Sequence, residues 1–185
     1  NQAGLAISTG TKNVTVGSGA GKTITTAAYA IAIGYEPIAA GTMTGTDNTA
    51  IGQNAGQDLT SGTYNFFAGY RAGYNATTAT NTVAIGRSAI GSGVLTGTDN
   101  TAIGQEAGND LTSGTYNVRM GYRAGYNATT ASNSIAIGKN AIGLGVLTGT
   151  NNTAIGQLAG NDLTSGTYNF FGGYNSGGNA TTANY

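Results

Sequence analysis

The sequence predicts an all-β fold, a parallel β-solenoid of about ten turns in which equivalent positions recur at steps of 17 or 18, and three observations predict it. The first is that fixed period. Ala-Ile-Gly stands at Ala50–Gly52, Ala84–Gly86, Ala102–Gly104, Ala136–Gly138 and Ala154–Gly156. The glycine that closes each phrase can be followed through Gly17, Gly34, Gly52, Gly69, Gly86, Gly104, Gly121, Gly138, Gly156 and Gly173. Such self-similarity marks a chain that stacks turn upon turn. The second is a local period of two: Val83 and Ile85 share one face and Ala84 takes the other, as in a strand. The third is the absence of any helical apolar pattern. The 33 glycines reinforce it, since each would cost a helix about 1 kcal/mol.

Each turn then reads in the same order. A strand of about four residues comes first, at Val14/Val16, Ile31/Ile33, Val83/Ile85, Val118/Met120 and Ile135/Ile137, with Thr49, Thr101 and Thr153 in place of the first apolar residue on one turn type. The closing glycine makes a corner. A second short segment ends in Ala-Gly (Ala55-Gly56, Ala107-Gly108, Ala159-Gly160), and Thr, Ser, Gly and Asn corners return the chain to the next strand. Stacked at about 4.8 Å per turn, ten turns give a rod roughly 45–50 Å long. Three turns sum to a longer unit, with a step of 52: Thr46–Gln53 returns at Thr98 and Thr150, and Leu59–Asn65 returns at Leu111 and Leu163. Residues 1–185 form one repeat domain, and both ends fall in mid-pattern, as expected of a segment of a longer fibre.

Arg119 bears on which face is inside. It lies between Val118 and Met120 and points opposite to both. Because a buried, unpaired arginine is costly, the expectation is that Val118, Met120 and their equivalents point inward. The row Thr15, Ala32, Ala50, Phe67, Ala84, Ala102, Arg119, Ala136, Ala154 and Phe171 then points outward and offers a contact line. On that assignment Ile103→Asp would destabilise the fold.

Composition excludes much chemistry. The chain has no histidine or cysteine and carries seven basic and seven acidic residues. Ser-His and Cys-His nucleophiles and ordinary zinc sites therefore cannot be built. No enzyme, cofactor or metal site is expected. Asp58, Asp110 and Asp162 are three turns apart, roughly 14 Å in a column, too far for a carboxylate pair, and read as turn caps. Asp47 and Asp99 give way to Asn151 in the third copy, against a calcium ligand. Gly17–Thr23 does not keep phosphate-loop spacing, and there is neither a basic patch for nucleic acid nor an apolar run for membrane insertion.

Every third turn carries large side chains. Tyr64, Tyr70 and Tyr74 recur as Tyr116, Tyr122 and Tyr126, then as Tyr168 and Tyr174. With Phe67, Arg71, Arg119, Arg123 and Phe171 they form a candidate contact belt, read either as packing between subunits or as a surface for a glycan or protein receptor.

The phrases Asn81-Thr-Val-Ala-Ile-Gly-Arg-Ser-Ala-Ile-Gly91 and Asn133-Ser-Ile-Ala-Ile-Gly-Lys-Asn-Ala-Ile-Gly143 resemble the head repeats of YadA-type trimeric autotransporter adhesins, and related phrases resemble repeats of phage tail-fibre proteins. The resemblance implies a left-handed parallel β-roll assembled as a parallel homotrimer. It implies a non-enzymatic, extracellular fibre segment of a virion tail or bacterial cell surface, serving as rigid spacer and host-attachment surface. Two alternatives stand beside it. One is a self-assembling filament subunit stacking head to tail. The other, a minor one, is an ice-binding solenoid, suggested by Thr44-Gly-Thr46, Thr96-Gly-Thr98 and Thr148-Gly-Thr150 but weakened because these pairs recur only every third turn.

Overall fold

A computed structural model describes residues 2–184. Ten three-residue strands run in chain order: β1 (Val14–Val16), β2 (Ile31–Ile33), β3 (Thr49–Ile51), β4 (Phe66–Ala68), β5 (Val83–Ile85), β6 (Thr101–Ile103), β7 (Val118–Met120), β8 (Ile135–Ile137), β9 (Thr153–Ile155) and β10 (Phe170–Gly172). Each pairs in parallel with the next, in the order β1 to β10, in one sheet. Val14 pairs with Ile31, Ile31 with Thr49 and Thr49 with Phe66, so the register keeps the step read from the closing glycines. The molecule is a parallel β-solenoid of nine complete turns between ten strands, with no helix among the described residues. The count is one turn fewer than the glycines suggested, because ten closing glycines bound nine intervals.

The face assignment is the reverse of the expectation. Ala32, Ala50, Phe67, Ala84, Ala102, Arg119, Ala136 and Ala154 are fully buried, while Ile51, Ile85, Met120 and Ile155 are exposed on the outside. Thus the Ala row, with Phe67, Arg119 and the part-buried Phe171, faces the interior, and the Val/Ile rows face outward. The reason lies two residues upstream of each central strand position. Asn48, Asn65, Asn100, Asn117, Asn152 and Asn169 are buried and share the parity of the Ala row. They form an internal ladder. Asn117 Nδ2 donates to Asn100 Oδ1 at 3.0 Å and to the Ala131 carbonyl at 2.7 Å, and Asn117 Oδ1 accepts from the Ser134 N–H at 3.1 Å. Asn65 repeats this with Asn48, Ala79 and Thr82. A one-residue slip that released Arg119 would turn every one of these amides to the other face. One costly arginine is outweighed by a ladder that binds successive turns.

The three-turn beat is a matter of interior volume. Four residues after each closing glycine, the chain carries Gly, Gly or Ile in rotation: Gly56, Gly73, Ile90, Gly108, Gly125, Ile142. A Cβ on Gly73 would sit 2.6 Å from the Phe67 ring, and one on Gly56 2.8 Å from it. Phe67 therefore spreads over two glycines. Where the row carries only Ala, buried Ile38, Ile90 and Ile142 fill the space, although their φ angles are 46–47°.

Candidate functional site

The side chains of the first and third residues of every strand make the outer face of the sheet. On β4 and β7 these are Phe66, Ala68, Val118 and Met120, and on β3 and β9 they are Thr49, Ile51, Thr153 and Ile155. Two largely apolar columns therefore run the length of the rod on the outside. Tyrosines flank them on both margins: Tyr29 and Tyr35 beside β2, Tyr64 and Tyr70 beside β4, Tyr116 and Tyr122 beside β7, Tyr168 and Tyr174 beside β10. All eight are exposed. Nine steps of about 4.8 Å and about six residues at about 3.3 Å give this face about 850 Å². An apolar strip rimmed by amphipathic side chains is the kind of surface that marks an interaction site.

Of the predicted belt residues, the structure brings Tyr64, Tyr70, Tyr116, Tyr122, Tyr168 and Tyr174 to these margins. Tyr64, Tyr116 and Tyr168 hold φ of 57–59°, a left-handed conformation that directs each ring beside the strand that follows it. Tyr74 and Tyr126 lie around the next corner, half-buried. Arg71 stacks over Tyr74 with its guanidinium carbon 4.4 Å from the ring centre, and Arg123 lies 5.0 Å from that of Tyr126. Phe67 and Arg119 are not contact residues, since both are wholly inside, and the ring of Phe171 faces inward against Gly160 and Gly177. The belt thus divides into surface tyrosines and arginines and an internal Phe-Arg-Phe series.

The two surface arginines differ in partner. Arg123 Nε donates to Glu106 Oε2 at 2.6 Å, and Arg87 approaches the same carboxylate at 3.3 Å. That hydrogen bond from Arg123 holds the Glu106 carboxyl below its usual range. Asn54 occupies the place of Glu106 on the turn before Arg71, and among the described residues Arg71 has no carboxylate partner. Burial alone raises the carboxyls of Asp58 and Asp110. Among the described residues there is no cleft, and no group of three acidic residues is placed to hold a metal.

Sequence reasoning missed the asparagine ladder. Its signal was present: Asn precedes the strand in Asn48-Thr-Ala-Ile, Asn65-Phe-Phe, Asn100-Thr-Ala-Ile and Asn117-Val-Arg. Reading Asn as a corner residue concealed it.

The chain matches no protein-family model, and no curated protein or solved structure gives a significant match.

Proposed function

We propose that the chain is a non-enzymatic structural and adhesive fibre segment, in which copies of the molecule associate through the outer sheet face. The observation that carries this reading is the pair of largely apolar columns, exposed or half-buried on the outside of ten strands and edged by tyrosine. The face has an apolar centre and an amphipathic rim, the arrangement of protein interfaces. Its extent of about 850 Å² matches the roughly 800 Å² that each partner of a stable complex buries. Equivalent strands at every turn, with a shared three-turn beat, favour a parallel assembly, because turn then meets equivalent turn along the whole rod. A closed parallel homotrimer satisfies this with three equivalent chains around an apolar axis, and a left-handed coil direction belongs to the same reading. Such a rod would serve as a stiff spacer outside the cell, in a phage tail fibre or bacterial surface adhesin. Arg71, Tyr70 and Tyr74 would remain at its edge for a host glycan or protein.

The test is the mass of the species in solution, by sedimentation equilibrium, together with negative-stain images. Discrete trimeric rods are expected, and Ile51→Asp should return them to monomers. A parent chain that is monomeric at all concentrations overturns the reading, and continuous filaments would replace it with head-to-tail stacking.

A further inference from the structure

The side of the solenoid opposite the closing-glycine corner carries a hydroxyl on nearly every turn. The register shows what spacing in the sequence hides. The Thr44 N–H donates to the Thr60 carbonyl, Thr60 to Thr77, Thr96 to Thr112, Thr112 to Thr129, Thr148 to Thr164 and Thr164 to Thr181. As in the strands, where Val14 donates to Ala30 and lies level with Ile31, each donor lies level with the residue after its acceptor, so Thr44 is level with Ser61, Thr96 with Ser113 and Thr148 with Ser165. The column that faces out is therefore Thr44, Ser61, Thr78, Thr96, Ser113, Thr130, Thr148 and Ser165, at steps of 17 or 18, and all eight are exposed. A second hydroxyl column follows: Thr46, Thr63, Thr80, Thr98, Thr115, Ser132 and Thr150, each accepting at its carbonyl from the residue that precedes the buried ladder on the next turn. Behind the exposed column Thr60, Thr77, Thr112, Thr129 and Thr164 are half-buried, with buried Met43, Leu95 and Leu147 in their place on every third turn. The recurrence only on every third turn, which weakened the ice-binding alternative, holds for the Thr-Gly-Thr spelling and not for the surface.

We propose that this hydroxyl side is an ice-binding plane. Three properties point to ice as the ligand. The first is spacing: successive threonines repeat at about the 4.8 Å of a parallel sheet, close to the repeat of oxygens in hexagonal ice. The second is chemistry. From Thr44 to Thr46, Thr60 to Thr63, Thr77 to Thr80, and their equivalents up to Thr164–Thr167, no charged or aromatic residue interrupts the hydroxyl and methyl array. Charges hold liquid-like hydration that an ice lattice cannot accommodate.

The third property is rigidity. Thr25 Oγ1 donates to the Met43 carbonyl at 3.1 Å, Thr60 to Thr77 at 2.9 Å, Thr112 to Thr129 at 3.1 Å and Thr164 to Thr181 at 2.9 Å. Each bond fixes one half-buried side chain beside the exposed column and leaves its oxygen free to accept from water. These four side chains are set before the ligand arrives, which lowers the ordering entropy that opposes binding. The plane lies on a different side from the outer sheet face, so association and ice binding can coexist.

The test uses the full chain: thermal hysteresis by nanolitre osmometry, and partition of the protein into a slowly growing ice hemisphere. The parent should show hysteresis and enter the ice. Thr96→Tyr with Ser113→Tyr, both at exposed positions, should remove most of the hysteresis, as should Thr78→Lys, with circular dichroism unchanged. Gln53→Tyr, where neighbouring turns already carry Tyr35 and Tyr70, should keep the parent value. A folded parent without hysteresis that is excluded from ice overturns the proposal. So does a folded Thr78→Lys variant with the parent's activity. Sedimentation of the same samples reports on association separately, so failure of one reading leaves the other standing.

Discussion

Replacing Arg119 by phenylalanine should stabilise the molecule. The arginine is fully buried, and its Nε, Nη1 and Nη2 have no hydrogen-bond partner among the described residues. Loss of water around the charged form depresses its pKa well below the ordinary arginine value, to about 10. At about 1.4 kcal/mol per pH unit, that depression corresponds to about 3 kcal/mol of unfavourable burial at neutral pH. The slot for a ring already exists. Phe67 and Phe171 occupy the same row, and Gly108 and Gly125 flank Arg119 as Gly56 and Gly73 flank Phe67. For a chain of this size each kcal/mol is worth roughly 2–4 °C, so Arg119→Phe should raise the melting temperature by about 6–12 °C. The pH dependence has a definite sign. From about 10 up to the ordinary arginine value the unfolded chain binds the proton and the folded chain releases it, so the parent gains stability as pH rises through that window. Below it the penalty is complete. The gap between variant and parent should be constant from about pH 6 to 9 and narrow above about 10. Melting followed by circular dichroism measures it. A variant that melts at or below the parent would refute the claim that Arg119 occupies an uncompensated aromatic slot.

The face assignment makes a paired prediction: Ala102→Asp should prevent folding, whereas Ile103→Asp should leave the monomer fold intact and weaken association, as read by circular dichroism and sedimentation. Asn117→Leu removes the partners of the Ala131 carbonyl and the Ser134 N–H, and at about 1–3 kcal/mol for each buried unpaired group it should lower the urea midpoint by at least about 2 kcal/mol in stability with an unchanged slope. Gly73→Ala places a methyl 2.6 Å from the Phe67 ring at a φ of 60° and should destabilise the parent. The loss should be smaller in a Phe67→Ala background, with a coupling of about 0.5–3 kcal/mol in the double-mutant cycle.

The strand positions, the parallel order and the near-constant step between turns were legible in the sequence because stacking forces equivalent residues to recur at equivalent places. The inside and outside of the sheet were not. Period two separates Ile103 from Ala102 but does not say which is buried, and the usual guide, that large apolar residues go in, fails where the interior is narrow. Arg119 misled for a related reason: judged alone it belongs outside, yet its parity is shared with Asn117, whose three side-chain hydrogen bonds run to neighbouring turns. Of the candidate site, the tyrosines were found at the surface and Phe67 and Arg119 were not. The hydroxyl column stayed hidden because serine alternates with threonine along it, as in Ser61, Thr78, Thr96 and Ser113, so no one motif marks it.

The narrow interior also explains why the repeat has a second beat. Nine turns of Ala opposite Gly would close on too little apolar volume to offset the ordering of a glycine-rich chain, at about 1–2 kcal/mol per residue. A large residue in every turn is impossible, because each Phe ring of the inner row overlies glycines of two turns. The chain resolves this by rotation. One turn supplies Phe67, its neighbours supply glycine beneath it, and the next turn supplies Ile90, buried at a φ of 47°. A β-branched residue in that conformation is strained by about 1–3 kcal/mol, and full burial of an isoleucine, at about 1.5–3 kcal/mol, offsets it. The surface inherits the rhythm, since the turns that hold Phe67, Arg119 and Phe171 inside also carry Tyr64, Tyr116 and Tyr168 outside. Spacing of any contact made by those tyrosines, roughly 14 Å along the rod, is therefore set by how the core is filled.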